Sequence, residues 1–165
     1  MAAPRPPPPP EDPALSSRVP VGLGTVVEIG CGEGALGAWL ARRDPASRRI
    51  ATESDPDAAA RARPHYDAVH LLPPEALPPV KPGSADLVVL RGAPADPAAA
   101  IVAAARLLGP AGLLLVDLPN AGHWRHAKAL LALGAEAPLI PAAAMTREGL
   151  LGAVQPFPRH CRRWN

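Results

Sequence analysis

The sequence predicts an α/β fold in which a doubly wound, mostly parallel sheet lies between two layers of helices, a three-layer α/β/α arrangement. Two observations support this fold class. From residue 21 onward, short β-branched or aliphatic runs alternate with segments of helical periodicity, the order expected of right-handed β–α–β crossovers. The run at residues 86–90 is almost entirely aliphatic, which is typical of a parallel strand buried on both faces.

The first half of this region contains two strand–helix units. Residues 25–29 are rich in β-branched side chains and precede a helical pattern with apolar residues at positions 36, 39 and 40. Residues 49–53 form a second, weaker strand pattern. Asp55 and Pro56 then have the residue types preferred at a helix N-cap and first helical position, so we expect the alanine-rich residues 57–63 to be helical.

The second half continues the alternation. Strands are predicted at residues 68–72 and 86–90, and Asp96 with Pro97 begins another helix. The predicted apolar face of that helix consists of Ile101, Val102, Ala105 and Leu108. The glycine–proline turn at residues 109–112 is predicted to separate this helix from a fifth strand at residues 113–116. Two further helices are predicted at residues 123–133 and 146–154.

Composition and charge restrict the class of protein. The 165 residues include 17 Lys and Arg against 15 Asp and Glu, scattered along the chain, so neither a nucleic-acid partner nor a basic binding stripe is expected. The two cysteines lack a CxxC or Cys/His pattern, which argues against a disulfide scaffold and against a metal site. No secretory leader or bilayer-spanning run is evident, so we expect a soluble cytoplasmic protein without a membrane partner.

Proline content divides the chain. Residues 1–20 contain a run of five prolines at 6–10 and are predicted to form a disordered tail. A single folded domain is predicted over residues 21–154, followed by a short C-terminal tail at residues 155–165.

The segment most informative about chemistry is EIGCGEG at residues 28–34, where the first strand gives way to the first helix. Glycines at 30, 32 and 34 allow a ligand to approach the backbone closely, and the helix N-terminus offers unpaired N–H groups. Glu53 ends the second strand, from which an acid can accept hydrogen bonds from the two hydroxyl groups of a ribose. Together they predict a nucleotide-like ligand.

The spacing E-x-G-x-G-x-G resembles motif I of the class I S-adenosylmethionine-dependent methyltransferases, in particular a family of small bacterial methyltransferase domains. Residues 85–90 resemble the fourth-strand motif of these enzymes, and residues 105–115 resemble the segment leading into their fifth strand. Residues 117–125 and 145–151 resemble a bacterial branch often associated with glycan-modifying proteins. The resemblance implies a Rossmann-like fold and S-adenosylmethionine as cofactor. The cofactor-binding residues that it implies are Glu28, Gly30, Cys31, Gly32, Gly34, Glu53, Ser54, Pro73, Pro74 and Arg91.

The chain departs from that family at three places. Pro73 and Pro74 stand where an acidic side chain usually meets the adenine amino group, leaving an apolar shelf, backbone groups or Glu75 for that contact. The segment after the fourth strand is shortened to residues 91–96, and no pattern for the usual C-terminal β-hairpin is present. We expect the resulting free edge of strand five to be covered by residues 135–144 and the aromatic tail, with weak homodimerisation.

Three candidate residues have two interpretations each. Glu28 either organises the glycine loop, which we favour, or binds the ligand's amino group. Cys31 lies near a helix N-terminus, where a nucleophilic thiol is conceivable, although a small residue in a cofactor loop is the preferred interpretation. No catalytic residue is identified; His123, after the fifth strand, is the weak candidate for a general base, against a role in packing on Trp124.

The resemblance implies methyl transfer from S-adenosylmethionine to an oxygen or nitrogen of a small molecule or glycan. The alternative is a non-catalytic domain that keeps the fold to bind a cofactor or partner, which the shortened 91–96 segment favours. A nicotinamide-dependent oxidoreductase is disfavoured because the dinucleotide pattern G-x-G-x-x-G is not present at the loop.

Overall fold

The computed structural model describes residues 16–92 and 94–117. The predicted helices at residues 123–133 and 146–154, the C-terminal segments and His123 lie outside these residues. Within these residues, five strands alternate with three α-helices and one short 3₁₀ helix. In chain order they are β1 Thr25–Ile29, α1 Ala35–Arg43, β2 Arg48–Glu53, α2 Pro56–Ala62, the 3₁₀ helix Arg63–His65, β3 Ala68–Leu71, β4 Ala85–Arg91, α3 Pro97–Ala105 and β5 Leu108–Asp117.

The strands form one sheet in the order β3-β2-β1-β4-β5, with every adjacent pair parallel. The chain therefore builds outward from β1 in one direction, and then returns to the other side of β1 with β4. This change of direction leaves a crevice outside the carboxyl ends of β1 and β4, the usual position of a ligand in such sheets. The predicted fold class, a Rossmann-like three-layer α/β/α arrangement, is confirmed for the described residues.

Apolar clusters cover both faces of the sheet. On one face, Val27 and Val88 pack with Ile101 of α3. On the other, Val26 and Val89 pack with the first helix, through Leu36, Trp39 and Leu40. Val19 belongs to this second cluster and is buried, although the sequence placed it in the proline-rich tail. Successive residues of β1 thus pack in opposite clusters, so both faces of this strand have to be apolar.

Two helices begin as the sequence predicts. The Asp55 carboxylate accepts a hydrogen bond from the Asp57 N–H, and Pro56 occupies the first position of α2. The Asp96 carboxylate caps α3 in the same way by accepting from the Ala99 N–H. Within the described residues, no helix has both the length and the apolar character needed to cross a bilayer.

The buried face of α3 differs from the predicted one. The buried residues are Ala100, Ile101 and Ala104, whereas Val102 and Ala105 are only half-buried. Because the helix PAAAIVAAA is apolar on every side, its sequence does not specify which side faces the sheet. Only Ile101 of the predicted set is fully buried in the helix.

The boundary between α3 and β5 was also predicted wrongly. The helix ends at Ala105, and β5 begins at Leu108 and includes the segment 109–112 that was predicted to be a turn. The β4–β5 register shifts between the pairs Ala85–Leu108 and Leu87–Leu113, so these residues form an irregularity inside the strand. Gly112 permits it, because a Cβ there would lie 2.7 Å from the Ala85 carbonyl oxygen.

Candidate functional site

The glycine loop follows β1 and turns sharply into α1. Gly30, Gly32 and Gly34 have φ angles of 77°, 55° and 88°, which side chains with a Cβ rarely adopt. A Cβ on Gly30 would in addition lie 2.5 Å from the Arg91 carbonyl oxygen. The N–H groups of Gly30 and Cys31 both donate to the Thr52 carbonyl of β2, each at 3.0 Å. Glycine is thus required by the backbone path of the loop.

A cavity of about 370 Å³ opens beside this loop, at the carboxyl ends of β1, β4 and β5. Its volume lies within the range of about 300–1,000 Å³ that is usual for small-molecule sites. Its lining combines backbone of the glycine loop with three charged side chains, and consists of Gly30, Cys31, Gly32, Glu33, Ala35, Arg91, Gly92 and Asp117. The cavity occupies the crevice that the strand order creates.

Glu53 binds the backbone of the glycine loop. Its Oε2 accepts a hydrogen bond from the Gly32 N–H at 2.8 Å, and its Oε1 accepts from the N–H groups of Ser54 and Asp55 at 2.8 and 3.0 Å. The Ser54 hydroxyl lies 3.3 Å from the same Oε1. A single carboxylate therefore connects the end of β2, the start of α2 and the loop after β1.

Glu28 is fully buried beneath the loop and has different partners from those expected. The Tyr66 hydroxyl donates a short hydrogen bond to its Oε2, and Arg91 Nη1 lies 3.4 Å from its Oε1. Among the described residues, no loop N–H donates to it; Glu53 instead takes the loop-organising role favoured for Glu28. Burial raises the pKa of Glu28 to about 7, although Tyr66 and Arg91 oppose this change.

Tyr66 also completes the N-terminus of α1. The N-cap residue of this helix is Gly34, which has no side chain to accept a hydrogen bond. The Tyr66 hydroxyl accepts from the Gly37 N–H at 3.1 Å and thus satisfies one of the unpaired amides of the first turn. Burial and the Glu28 carboxylate raise the pKa of Tyr66, so its hydroxyl keeps the proton that it donates to Glu28. A glycine at the N-cap is therefore compensated by a distant tyrosine.

Arg91 connects this buried pair to the cavity. Its Nη1 faces Glu28, and its Nε donates to Asp117 Oδ2 at 3.1 Å. The resulting chain of polar contacts runs from Gly37 through Tyr66, Glu28 and Arg91 to Asp117. These contacts join the start of α1 to the ends of β1, β4 and β5, and they fix the positions of Arg91 and Asp117 in the cavity lining.

Cys31 is buried and its thiol lies 3.5 Å from the Gly32 carbonyl. Burial, together with the Glu28 and Glu53 carboxylates, raises its pKa to about 12. The thiol is therefore protonated at neutral pH and is not an activated nucleophile, in agreement with the preferred interpretation of a small loop residue.

Of the predicted cofactor-binding residues, the cavity lining includes Gly30, Cys31, Gly32 and Arg91 but not Glu28, Gly34, Glu53, Ser54, Pro73 or Pro74. Pro73 is exposed and Pro74 half-buried in the segment after β3. Glu75, beside them, accepts a hydrogen bond from the Ala95 N–H at 2.7 Å, which ties this segment to the one after β4. Among the described residues, no cluster of histidine, cysteine or acidic side chains could hold a metal ion.

The site includes residues that were not predicted from the sequence: Tyr66 and, in the cavity lining, Glu33, Ala35, Gly92 and Asp117. Tyr66 follows an alanine-rich helix and belongs to no motif. The only signal for it in the sequence is that it is the single tyrosine of the chain. Asp117 lines the cavity at the end of β5. A charged residue directly after an aliphatic parallel strand is the signal that could have identified it, because that is where ligands bind.

The buried Glu28 carboxyl makes stability depend on pH. Its folded pKa of about 7 exceeds the ordinary 4.5, so the folded state favours the protonated form. Stability from this group is complete below pH 4.5 and is lost as the pH rises to 7; at about 1.4 kcal/mol per pKa unit, the loss is roughly 3 kcal/mol. The groups facing Glu28 are Tyr66, Arg91, Cys31 and Glu53.

We expect the difference in unfolding free energy between the native chain and Glu28→Gln to shift by roughly 3 kcal/mol in favour of glutamine from pH 4.5 to pH 8. Urea denaturation at both pH values measures it. A difference that does not change with pH would contradict the burial of an ionisable Glu28.

The comparisons with known proteins agree with this geometry. A family model described as a methyltransferase domain matches residues 27–116, more than half of the chain. This segment includes β2, β3 and β4 completely, β1 from Val27 onward and β5 up to Val116, together with the glycine loop and Arg91. No curated protein sequence matches the chain at a significant level.

Several solved structures share the fold. An S-adenosylmethionine-dependent methyltransferase from Thermotoga maritima superimposes with a TM-score of 0.61 at 20% identity, covering 87% of this chain and 66% of that one. The methyltransferase in complex with the Trm112 activator from Haloferax volcanii gives 0.64 at 23% identity, covering 85% and 63%. A TehB-like methyltransferase from Corynebacterium glutamicum gives 0.51 at 22% identity, covering 66% and 60%. The chain thus spans about three fifths to two thirds of these structures' length.

Proposed function

The chain belongs to the methyltransferase-domain family, and we propose that it binds S-adenosylmethionine and transfers the methyl group of this cofactor to an oxygen or nitrogen of a small molecule or glycan. The observation that supports this most strongly is the cavity beside the glycine loop, at the point where the strand order reverses. This cavity provides space for a ligand. The glycines of the adjacent loop have no side chains that would keep the ligand away from the loop backbone.

The charges around the cavity suit this cofactor better than a dinucleotide. The cavity lining contains two acids, Glu33 and Asp117, and one base, Arg91. Glu33 is also paired with Arg61 at 3.1 Å, and Arg91 contacts both Glu28 and Asp117. S-adenosylmethionine has a positive sulfonium and an ammonium group beside one carboxylate, and the two acids of the lining attract its net positive charge. The pyrophosphate of a nicotinamide dinucleotide would be repelled by the same acids.

Glu53 is the residue that we propose to hold the cofactor ribose. Its Oε1 has three donors within 3.3 Å, whereas Oε2 accepts from Gly32 alone among the described residues. Oε2 can therefore accept one further hydrogen bond from a hydroxyl group. Pro73 and Pro74, near the end of β3 beyond Glu53, supply an apolar shelf for the adenine.

Catalysis by this arrangement consists mainly of positioning. The cofactor supplies an already activated methyl group on its sulfonium. The residues of the chain hold it: the glycine loop gives close backbone contact, and hydrogen bonds to Glu28 and Asp117 fix Arg91 at the cavity wall. Fixing two reactants in the correct geometry can contribute about 7–11 kcal/mol to lowering a barrier.

A second function, a non-catalytic module that binds a cofactor or partner, is favoured by one observation. Only residues 92–96 separate β4 from α3, which leaves little chain to form a wall around the reacting groups. Turnover of any acceptor with labelled S-adenosylmethionine distinguishes the two functions. A cytoplasmic location and weak self-association through the free edge of β5 remain predictions of the same account.

Replacing Glu53 tests the proposed cofactor site. Glu53→Ala removes a charged acceptor whose hydrogen bonds contribute about 1.5–3 kcal/mol each, so affinity for S-adenosylhomocysteine should fall about ten-fold or more. Titration calorimetry measures the change. The matched control is Asp67→Ala, an exposed carboxylate that accepts the Arg49 N–H at the opposite end of β2. An affinity unchanged in Glu53→Ala, or lowered equally by both substitutions, would contradict the assignment.

A further inference from the structure

We propose that Asp117 forms the acceptor end of the cavity and selects an acceptor that reacts through nitrogen. This inference rests on the proposed function, because it assigns the acceptor side of the same site. It narrows the acceptor from oxygen or nitrogen to an amine-like group.

The order of the strands separates the two ends of the site. Glu53, the proposed ribose acid, lies at the end of β2, and the glycine loop follows the neighbouring β1. Arg91 and Asp117 lie at the ends of β4 and β5, on the other side of β1. A cofactor that extends from Glu53 across the loop toward β4 leaves the β5 end for its reaction partner. Asp117 is the acidic side chain at that end.

Asp117 is held in place, and only one of its two carboxylate oxygens has a donor among the described residues. Arg91 Nε donates to its Oδ2 at 3.1 Å, and its side chain is 42% exposed in the cavity. Within residues 16–92 and 94–117, no donor is bonded to its Oδ1. Arg91 also contacts Glu28 Oε1 at 3.4 Å, so its guanidinium is shared between two acidic side chains. An additional donor in the cavity would thus find an oriented carboxylate oxygen.

The chemistry of methyl transfer distinguishes the classes of acceptor. The lone pair of an acceptor nitrogen forms the new N–C bond while the electron pair of the breaking S–C bond stays on sulfur. The positive charge therefore passes from sulfur to nitrogen, and one N–H proton then leaves to water. A carboxylate beside the nitrogen stabilises the charge as it develops.

Other acceptors gain less from this residue. A hydroxyl oxygen must lose its proton as it reacts, and a carboxylate already engaged by a guanidinium is a poor base for that proton. An acceptor that is itself a carboxylate or phosphate has no proton to donate to Asp117 and would have to displace it from Arg91. The residue therefore favours nitrogen over both alternatives.

The test uses binding rather than turnover. The full chain, saturated with S-adenosylhomocysteine, is titrated with benzylammonium, which has the charge that the acceptor nitrogen acquires, and separately with benzyl alcohol and benzoate. Nuclear magnetic resonance shifts of the protein report binding. We expect benzylammonium to bind best and its affinity to fall at least ten-fold in Asp117→Asn. The control is Asp57→Asn, which removes an exposed carboxylate outside the cavity lining and should have no effect.

Three outcomes would overturn this inference alone: benzylammonium that fails to bind, benzoate or benzyl alcohol that binds as well, or an amine affinity that Asp117→Asn leaves unchanged. A loss of S-adenosylhomocysteine affinity in Asp117→Asn would also overturn it, by assigning the residue to the cofactor. Failure of the native chain to bind S-adenosylhomocysteine would instead overturn the proposed function, and this inference with it.

Discussion

Gly37→Ala is expected to lower the free energy of unfolding by roughly 3 kcal/mol, although alanine is the better helix former by about 1 kcal/mol. The reason is Tyr66. A Cβ on Gly37 would lie 2.3 Å from the Tyr66 Cζ and 2.5 Å from its Cε2, inside the ring's van der Waals surface. The Tyr66 ring must move to remove this overlap, and the movement breaks the hydrogen bonds of its hydroxyl to the Gly37 N–H and to the Glu28 carboxylate. Each buried group left unpaired costs about 1–3 kcal/mol.

A double-mutant cycle tests whether Tyr66 is the cause. In a Tyr66→Leu background the ring and its hydroxyl are absent, so adding Gly37→Ala should be neutral or slightly stabilising. Urea denaturation of the four proteins gives the coupling free energy. If Gly37→Ala destabilises both backgrounds equally, the loss arises elsewhere and Tyr66 does not complete the helix N-terminus.

Gly30→Ala is expected to reduce affinity for S-adenosylhomocysteine by at least a hundred-fold, because the loop cannot keep its path with a Cβ 2.5 Å from the Arg91 carbonyl oxygen. The Arg91 carbonyl belongs to the backbone of β4, so the steric overlap can be removed only if either the glycine loop or the strand moves. A hundred-fold change corresponds to about 2.7 kcal/mol.

Gly83→Ala is the matched control for this substitution. Gly83 has a φ of 74°, close to the 77° of Gly30, but a Cβ there meets no atom within 4 Å. Both variants therefore incur the same backbone strain of about 1–2 kcal/mol, and only Gly30→Ala adds a steric conflict at the cavity. Calorimetry and thermal denaturation together separate affinity from stability. Equal losses of affinity in both variants would show that the loop geometry is not what binds the cofactor.

The sequence predicted correctly those features that depend on one residue and its neighbours in the chain, such as the start of a helix. Asp55 and Asp96 begin their helices as expected, because capping depends on neighbouring residues only. The glycine loop was recognisable for the same reason. The face of α3 was mispredicted because an alanine-rich helix has no apolar stripe to orient it, so packing of Ile101 against the sheet decides.

Residues whose role depends on distant partners were harder to predict. The burial of Glu28 was visible in its apolar strand, but its partners Tyr66 and Arg91 are 38 and 63 residues away in the sequence. Glu53 was assigned to the ligand alone, whereas the structure gives it the loop amides as well. These contacts exist only after the sheet has brought β1, β2 and β4 together, and no local pattern encodes them.

The most direct test of the cofactor assignment is titration calorimetry of the native chain with S-adenosylhomocysteine and, separately, with NAD. The cavity at the glycine loop, with Glu33 and Asp117 in its lining, predicts saturable one-to-one binding of S-adenosylhomocysteine and no measurable heat of binding with NAD. Binding of NAD with no binding of S-adenosylhomocysteine would contradict the account.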